Sequence, residues 1–192
     1  INPQGVMKFF EEISMIPRGS KNEKEISNYL VNFAKERGLE VTQDEFLNVV
    51  IKKSATKGYE NVPSMILQGH MDKEKEKNQG TEHDFMKDPL KLRVVDGWIM
   101  ATGTTLGADN GIAVAFALAL LDSKDLAHPA LEALVTSDEE MGMSGAQNFD
   151  PSLLSSKILI NIDTEEEGEL YVSCAGGARG VFEIPVENIS VE

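Results

Sequence analysis

The feature of the sequence that most restricts its fold is a short apolar strand that ends in adjacent carboxylates. Residues 131–135 have the length and composition of a buried strand, and Glu139 and Glu140 follow within a few residues. In an α/β sheet that is covered on its faces, ligands bind at the carboxyl ends of the strands. Neighbouring carboxylates there repel each other and lose hydration, so a cation or a proton must compensate them. For this pair taken alone, a solvated acidic turn is the commoner explanation.

The pattern along the chain predicts an α/β fold with a mixed β-sheet and helices on both sides. Apolar residues at helical spacing predict helices at 4–16 and 20–38, the second opened by a capping box from Ser20 to Glu23 and ended by Gly38. A third helix, apolar on every face, is predicted at 112–121. The predicted strands are 39–45, 48–53, 64–68, 131–136, 158–162 and 169–173, and a hairpin at 93–101 turns at Asp96-Gly97.

Composition excludes several classes of partner. The chain has 192 residues, 41% of them hydrophobic, which suits one globular domain or part of one. A formal net charge of -14 repels nucleic acid and anionic membrane surfaces. The longest apolar stretch, residues 112–121, is about half the length of a membrane-spanning helix. The single Cys174 cannot form an internal disulfide, which is compatible with the cytoplasm.

Three other strand-to-loop junctions carry metal-binding side chains: His70 with Asp72, then Asp109, then Asp163. Each has an ordinary explanation when taken singly, because a lone histidine is usually a hydrogen-bonded core residue and the aspartates suit a helix N-cap or a turn. Their coincidence with the glutamate pair at the same kind of junction indicates a site. Imidazole with carboxylates is a ligand set for zinc or a similar divalent ion, and a bridging carboxylate can hold two ions about 3.5–4 Å apart.

Four segments of the chain resemble the metal motifs of M20 metallopeptidases. They are Gly69-His70-Met71-Asp72, Gly107-Ala-Asp109-Asn-Gly111, Asp138-Glu139-Glu140-Met-Gly142 and Asn161-Ile-Asp163-Thr-Glu-Glu-Glu-Gly168. Four more are similar to the aminoacyl-histidine dipeptidase branch, also called Xaa-His dipeptidases or peptidase D: Ile16-Pro-Arg-Gly-Ser20, Thr81-Glu-His-Asp-Phe85, Gly103-Thr-Thr-Leu-Gly107 and Cys174-Ala-Gly-Gly177. The resemblance runs along essentially the whole chain. It implies an incomplete, zinc-exopeptidase-like catalytic domain.

The resemblance implies a site for two zinc ions, with Co²⁺ or Mn²⁺ as alternative metals. Asp109 would bridge the two ions. His70 and Asp163 would bind one of them, and Glu140 would bind the other. The resemblance also implies a cis peptide bond between Asp109 and Asn110.

Two further residues, Asp72 and Glu139, have catalytic roles that the resemblance implies. Asp72, two residues beyond His70, would hydrogen-bond the imidazole and fix its tautomer. Glu139 would be the general base, taking a proton from a water acidified by the metal and returning it to the leaving amine. The implied reaction is hydrolysis of Xaa-His dipeptides, with a small peptide as the partner.

The resemblance also implies domain boundaries. Residues 1–177 correspond to the N-terminal part of the catalytic domain, and 178–192 to the truncated start of a lid through which a homodimer would form. In the family, a histidine beyond that lid completes the second metal site, and His83 and His128 are poor substitutes for it. We therefore expect an incomplete gene product that is inactive by itself and holds zinc poorly.

One departure from the family and two alternative functions remain. Residues after Asp72 are usually apolar in the family, whereas here the charged run 73–78 predicts a solvated loop. Another M20 activity, such as an aminotripeptidase or an N-acyl amino acid hydrolase, is an alternative because most substrate-reading residues lie outside this chain. A non-catalytic binding module is the other alternative, since related folds can lose their metals and keep their shape.

Overall fold

A computed structural model describes residues 3–164, 166–178 and 180–187 of the chain. Its long helices are α1 (Gln4–Ser14), α2 (Lys24–Glu36) and α3 (Ala108–Asp122), and its short ones are α4 (Glu139–Gly142), α5 (Ser144–Gln147) and a 3-10 turn at Pro151–Leu153. Its strands are β1 (Glu40–Gln43), β2 (Val49–Lys53), β3 (Met65–His70), β4 (Leu92–Val95), β5 (Trp98–Ala101), β6 (Leu131–Thr136) and β7 (Ile158–Asn161). Within these described ranges, every helix is too short or too polar to cross a membrane.

Five strands form one mixed sheet in the order β1-β2-β6-β3-β7, which confirms the predicted α/β class. Strand β2 is antiparallel to β1 and β6, whereas β3 is parallel to both β6 and β7. The parallel pairing sets His70 opposite Thr136 and Gln68 opposite Asn161. The last residues of β3, β6 and β7 therefore lie at the same end of the sheet, and the loops that follow them meet there.

The two faces of the sheet are covered by helical segments of different size. Leu67 and Val135 point to the side where α1, α2 and α3 pack, and they belong to the main core. Ile66 and Leu134 point the other way and pack on the segment 149–154, which includes the 3-10 turn. Each buried aliphatic side chain contributes about 1.5–3 kcal/mol, so the face with three long helices supplies most of the stability.

Helices α1 and α2 are held to the sheet and to each other by their apolar stripes. In α1 the buried positions Val6, Phe9 and Ile13 recur at helical spacing, as the sequence predicts. The rings of Phe9 and Phe33, the latter from α2, meet edge to face with centroids 5.5 Å apart. Such a pair adds about 0.5–1.5 kcal/mol to the burial of its surface.

Several local predictions are confirmed. The β4–β5 hairpin turns through Asp96 and Gly97 with φ of 50° and 84°, as two-residue hairpin turns with positive φ require. Gly38 has a φ of 65° just after α2, as expected for a residue that ends a helix. The peptide bond between Asp109 and Asn110 is cis.

The predicted capping box is wrong. Helix α2 begins at Lys24, and the Ser20 hydroxyl does not cap it. Ser20 Oγ instead donates to Asp72 Oδ2 over 2.9 Å, and Glu23 accepts a hydrogen bond from the backbone N–H of Lys21. A capping serine accepts a backbone N–H of the helix, but Glu23 and not Ser20 stands directly before α2, and the Ser20 hydroxyl is turned to the buried carboxylate of Asp72.

The predicted strand at 169–173 is also wrong. These residues have no strand assignment, and Leu170 and Val172 are 95% and 98% exposed. Their alternating pattern suits a pleated surface, but a strand also needs a neighbour to accept its backbone hydrogen bonds. The described part of the chain offers none at this position.

The charged run 73–78 is only partly the solvated loop that we predicted. Glu74 and the residues up to 78 are exposed, but Lys73 is 3% exposed. Its ammonium donates to Glu74 O and Thr105 Oγ1 and lies 4.7 Å from the Phe85 ring centroid. Burial is the main reason why the pKa of Lys73 falls to about 8, and Arg18 lowers it further.

Candidate metal centre

The predicted site residues come together at the end of the sheet where the parallel strands finish. His70 is the last residue of β3, and Asp72 follows it. Glu139 and Glu140 open α4, just after β6, and Asp163 lies two residues beyond β7. Asp109 enters from the start of α3, whose first turn has non-helical dihedrals at Asp109 and Asn110. The structure therefore gathers all the residues that the sequence analysis assigned to the site.

The imidazole of His70 is the buried centre of this cluster. The residue is 1% exposed, and its Nε2 is 3.1 Å from Asp109 Oδ1, 3.6 Å from Asp163 Oδ1 and 3.8 Å from Glu139 Oε2. On the other side of the ring, Nδ1 is 3.3 Å from Asp72 Oδ1. That approach is close enough for an ion pair but lacks the alignment of a full hydrogen bond.

Asp72 connects the histidine to the glutamate loop. It is fully buried, and its Oδ1 accepts the backbone N–H of Glu139 at 3.0 Å. Its Oδ2 accepts the N–H of Glu140 at 3.2 Å and the hydroxyl of Ser20 at 2.9 Å. One carboxylate thus fixes the start of α4 and, through it, the positions of both glutamates.

The opposite side of the cluster is open to solvent. The side chain of Asp109 is 56% exposed, and Asp109 and Glu140 line a cavity of about 360 Å³ together with Glu74 and Thr105. Openings of this size can hold a small ligand. A small substrate would reach the cluster from this side.

The carboxylates change the proton affinity of the cluster. Burial alone would lower the pKa of His70, but Asp163 and Asp72 outweigh burial and raise the pKa to about 10. The nearby His70 ring lowers the pKa of Asp163. Burial is the main reason why the pKa values of Glu139 and Glu140 are raised. The cluster therefore attracts positive charge to the position that Nε2 faces.

The geometry and the donor set fit a divalent metal ion. One ligand atom from each of His70, Asp109 and Glu140 lies within 4.8 Å of the others. Ligands that bind a tetrahedral zinc ion at 2.0–2.1 Å are about 3.3 Å from one another. The separations of His70 Nε2 from Asp109 and Asp163, 3.1 and 3.6 Å, bracket that value. Neutral imidazole with carboxylates is suitable ligand chemistry for such an ion.

Neither of the other histidines reaches this cluster. His128 lies before β6, at the opposite end of that strand, where its Nδ1 is 2.7 Å from Pro129 O. The ring of His83 packs edge to face on Phe85 in the segment between β3 and β4. The structure agrees with the expectation that both are poor substitutes for a further ligand.

The sequence analysis missed three residues that support the site: Arg18, Ser20 and Asn110. The Asn110 amide accepts the backbone N–H of His70 at 3.1 Å and donates to Asp163 Oδ1 at 2.7 Å, so it links β3 to the segment after β7. Arg18 and Ser20 lie in a segment, Ile16-Pro-Arg-Gly-Ser20, that resembles the family, but Arg18 had no assigned role and Ser20 was assigned only to a capping box. The signal available in the sequence was an arginine between two predicted helices, in a segment that resembles the family.

The mixed sheet and this cluster define an α/β protein with a candidate metal centre at the carboxyl ends of its parallel strands. Residues 66–188 match the model of peptidase family M20/M25/M40. The chain therefore belongs to this peptidase family.

Known relatives agree with this assignment. The chain is 46% identical to the cytosol non-specific dipeptidase of Escherichia coli K12 over 177 residues, which are 92% of this chain and 36% of that protein. The structure of an aminoacylhistidine dipeptidase from Vibrio alginolyticus superposes with a TM-score of 0.85 at 45% identity, covering 88% of this chain and 34% of that one. A tripeptidase from Staphylococcus aureus superposes with a TM-score of 0.72 at 27% identity, covering 86% and 44%. The chain spans about a third of the length of the two dipeptidases.

Proposed function

We propose that this chain forms the metal-binding part of a dipeptidase that hydrolyses small peptides of the Xaa-His type. The observation that carries the proposal is the position of His70 Nε2, which faces carboxylates of Asp109, Asp163 and Glu139 at 3.1 to 3.8 Å. The similarity to two dipeptidases supports the choice of substrate class. Because the chain spans about a third of those proteins, the activity is proposed for the whole protein.

The proposed metals are two zinc ions, with Co²⁺ or Mn²⁺ as alternatives. Asp109 would be the bridging ligand, as the family resemblance implies, and its carboxylate lies in the close cluster with His70 and Glu140. His70 and Asp163 are the other ligands of one ion. Glu140 is a ligand of the second ion, on the side of the open cavity.

Glu139 is the proposed general base. When bound, the metal lowers the pKa of a water and polarises the peptide carbonyl. Glu139 accepts the proton of that water and later gives it to the leaving amine. Burial and the nearby carboxylates raise its pKa, which favours proton uptake, and its Oε2 is directed to the cluster at 3.8 Å from His70 Nε2.

Asp72 is proposed to orient His70. Its Oδ1 lies 3.3 Å from His70 Nδ1 and holds Nε2 as the ring nitrogen that faces the metal position. A carboxylate behind a histidine ligand fixes the tautomer and increases the basicity of the ring. The pKa of Asp72 is lowered, because the adjacent His70 ring and hydrogen bonds from Glu139 and Ser20 outweigh its burial.

Further features of the whole protein are proposed from the family resemblance. Residues 1–177 belong to the catalytic domain, and 178–192 begin a lid that carries the dimer contact. The protein acts in the cytoplasm, in keeping with the name of the relative from E. coli. By itself, the 192-residue chain is proposed to bind zinc weakly and to be inactive, because Glu140 and Asp109 are its only proposed ligands for the second ion.

Tripeptide hydrolysis is the second candidate function. The structural match to the tripeptidase favours it. It ranks second because that protein is 27% identical to this chain, whereas the aminoacylhistidine dipeptidase is 45% identical. Both candidates use the same metal centre. They differ in the substrate that the open cavity receives.

The test uses the full-length gene product that contains this chain. We expect tightly bound zinc in a metal analysis and turnover of Xaa-His dipeptides that is lost on chelation and restored by zinc. A matched tripeptide series with the same N-terminal residues separates the two candidates. Faster turnover of tripeptides would favour the second candidate, and a protein with no bound metal and no peptidase activity would favour the non-catalytic binding module.

A further inference from the structure

Residues Arg18–Lys21, here called the connector, join α1 to α2 and lie against the metal centre. Arg18 and Ser20 are each 1% exposed. The backbone N–H of Ser20 donates to Lys73 O at 3.2 Å, so the connector runs beside the loop that follows β3. The side chains of Arg18, Ser20 and Lys21 contact the segments that carry the proposed metal ligands.

The guanidinium of Arg18 joins two of these loops. Its Nη1 donates to the carbonyls of Met71 and Asp72 at 3.0 and 3.2 Å, and its Nη2 donates to the carbonyl of Gly107. The first loop carries His70 and the second carries Asp109. Arginine suits this position because its planar group presents several donors in a rigid fork.

Arg18 also places a positive charge beneath the carboxylates. Its burial lowers the pKa to about 10, and attraction by Asp72, Asp109 and Glu140 opposes that fall. The group therefore stays protonated near neutral pH. A buried charge of this kind persists only where paired groups compensate its lost hydration.

Two glycines leave the space that Arg18 occupies. A Cβ atom on Gly111 would lie 2.3 Å from Arg18 Nη2, and one on Gly107 would lie 2.9 Å from the same atom. Gly107 also has a φ of 67°, which favours glycine. The glycines on either side of Asp109 thus leave room for the guanidinium because they have no side chain.

Ser20 and Lys21 extend the connector to the third loop. Ser20 Oγ donates to Asp72 Oδ2, the same oxygen that accepts the N–H of Glu140. Lys21 Nζ pairs with the carboxylate of Asp138, the residue before Glu139. The connector therefore contacts the loops of His70, of Asp109 and of the two glutamates.

We propose that Arg18 and Ser20 are positioning residues of the metal centre, which hold the His70, Asp109 and Glu139-Glu140 loops at the separation that metal binding requires. This inference rests on the proposed function, because it takes the cluster to be a metal site. It assigns the connector a role beyond joining two helices. Mutation of a residue that orients a metal ligand typically lowers metal affinity or activity by about 10- to 100-fold.

The test compares four variants of the full-length gene product: Ser20→Ala, Arg18→Lys, Gly111→Ala and the matched control Arg37→Lys. Arg37 is also a partly buried arginine that donates to a carbonyl and a carboxylate, but it lies at the end of α2, where it pairs with Asp122. Zinc affinity is measured by competition with a chelator. The melting temperature of each metal-free variant reports fold stability separately.

We expect Ser20→Ala and Arg18→Lys to weaken zinc binding roughly 10- to 100-fold, and Arg37→Lys to leave it within about threefold. Gly111→Ala, which displaces Arg18 without removing it, should weaken zinc binding as well. If the Arg18 and Ser20 variants bind zinc as the control does and only their melting temperatures fall, the connector is structural and the inference is wrong. If the unmodified protein binds no zinc, the proposed function fails and the inference with it.

Discussion

The two sides of the metal centre are held in different ways. On the buried side, His70 and Asp72 are 1% and 0% exposed, and hydrogen bonds from Ser20 and the α4 backbone surround the carboxylate. On the open side, Asp109 has a side chain that is 56% exposed and faces a cavity of about 360 Å³ with Glu140. Contacts within this chain preorganise the buried side, whereas the open side is accessible to a ligand from solvent.

The difference follows from the cost of burying charge. Asp72 keeps its charge away from water because several donors replace its hydration, and each hydrogen bond to a charged group contributes about 1.5–3 kcal/mol. Asp109 remains near solvent and needs no such shell. The comparison teaches that one part of the cluster fixes the positions of the side chains and another part leaves the site open to solvent.

The largest effect is expected from Glu139→Gln, at the junction of the two sides. Turnover of the full-length protein should fall by roughly two to four orders of magnitude, because the amide cannot carry the proton. Zinc content should change little, since Glu139 is not a proposed ligand. Steady-state kinetics and metal analysis on the same sample check both parts. Loss of zinc together with activity would make Glu139 a ligand.

Asp72→Asn tests the buried side. The amide retains one acceptor oxygen for the Glu139 and Glu140 N–H groups and cannot support the ring of His70 as a carboxylate does, so zinc affinity should fall about 10- to 100-fold. Asp44→Asn is the matched control, because Asp44 also accepts several hydrogen bonds, from Phe46 and Asn48, in another loop. Chelator competition measures both variants. Equal affinities would show that the buried side does not determine metal binding.

Glu132→Gln tests a buried carboxylate that is remote from the metal. Burial alone would raise the pKa of Glu132, but hydrogen bonds from Ser156 and Ser155 outweigh it and lower the pKa to about 2. The unfolded value is near 4.3, so this stabilisation is present above about pH 4.3 and is lost as the pH falls toward 2. At pH 6 the variant should lose about 1–2 kcal/mol of unfolding free energy with zinc affinity unchanged.

Denaturant titrations at pH 6 and pH 3 check the Glu132 prediction. The difference between the unmodified protein and the variant should shrink at pH 3, because the Glu132 carboxylate of the unfolded chain is then largely protonated while the native one, with a pKa of about 2, is still ionised. A difference that stays constant with pH would mean that shape, and not charge, explains the loss.

Glu74→Gln should have the smallest effect, and it tests the open side. Glu74 lines the cavity and helps to raise the pKa of Glu140, but it lies outside the close ligand cluster. Exposed charges interact weakly, by about 0–1 kcal/mol, so zinc affinity should change less than about fivefold. Chelator competition at low and high salt measures it. A loss as large as that of Asp72→Asn would mean that Glu74 binds the metal.

Much of the fold and of the ligand set was predictable from sequence. Alternation and helical spacing report which face of an element is buried, so the mixed sheet and all three long helices were predicted to within a few residues at most boundaries. The ligands were recognisable because His70, Asp109, the two glutamates and Asp163 stand directly beside predicted elements. The strand at 169–173 failed because pairing needs a neighbour that local pattern does not report.

What the sequence by itself determined is therefore local: which segments form helices or strands, and which side chains stand at their ends. Only the tertiary structure decided the partners of Arg18 and Ser20. The Arg18 guanidinium reaches a carbonyl 89 residues away at Gly107, and the Ser20 hydroxyl reaches a carboxylate 52 residues away at Asp72. Local rules favoured Ser20 as a helix cap that accepts a backbone N–H, yet its hydroxyl donates to a buried carboxylate that the sheet brings close, because a buried charge needs donors to replace its hydration.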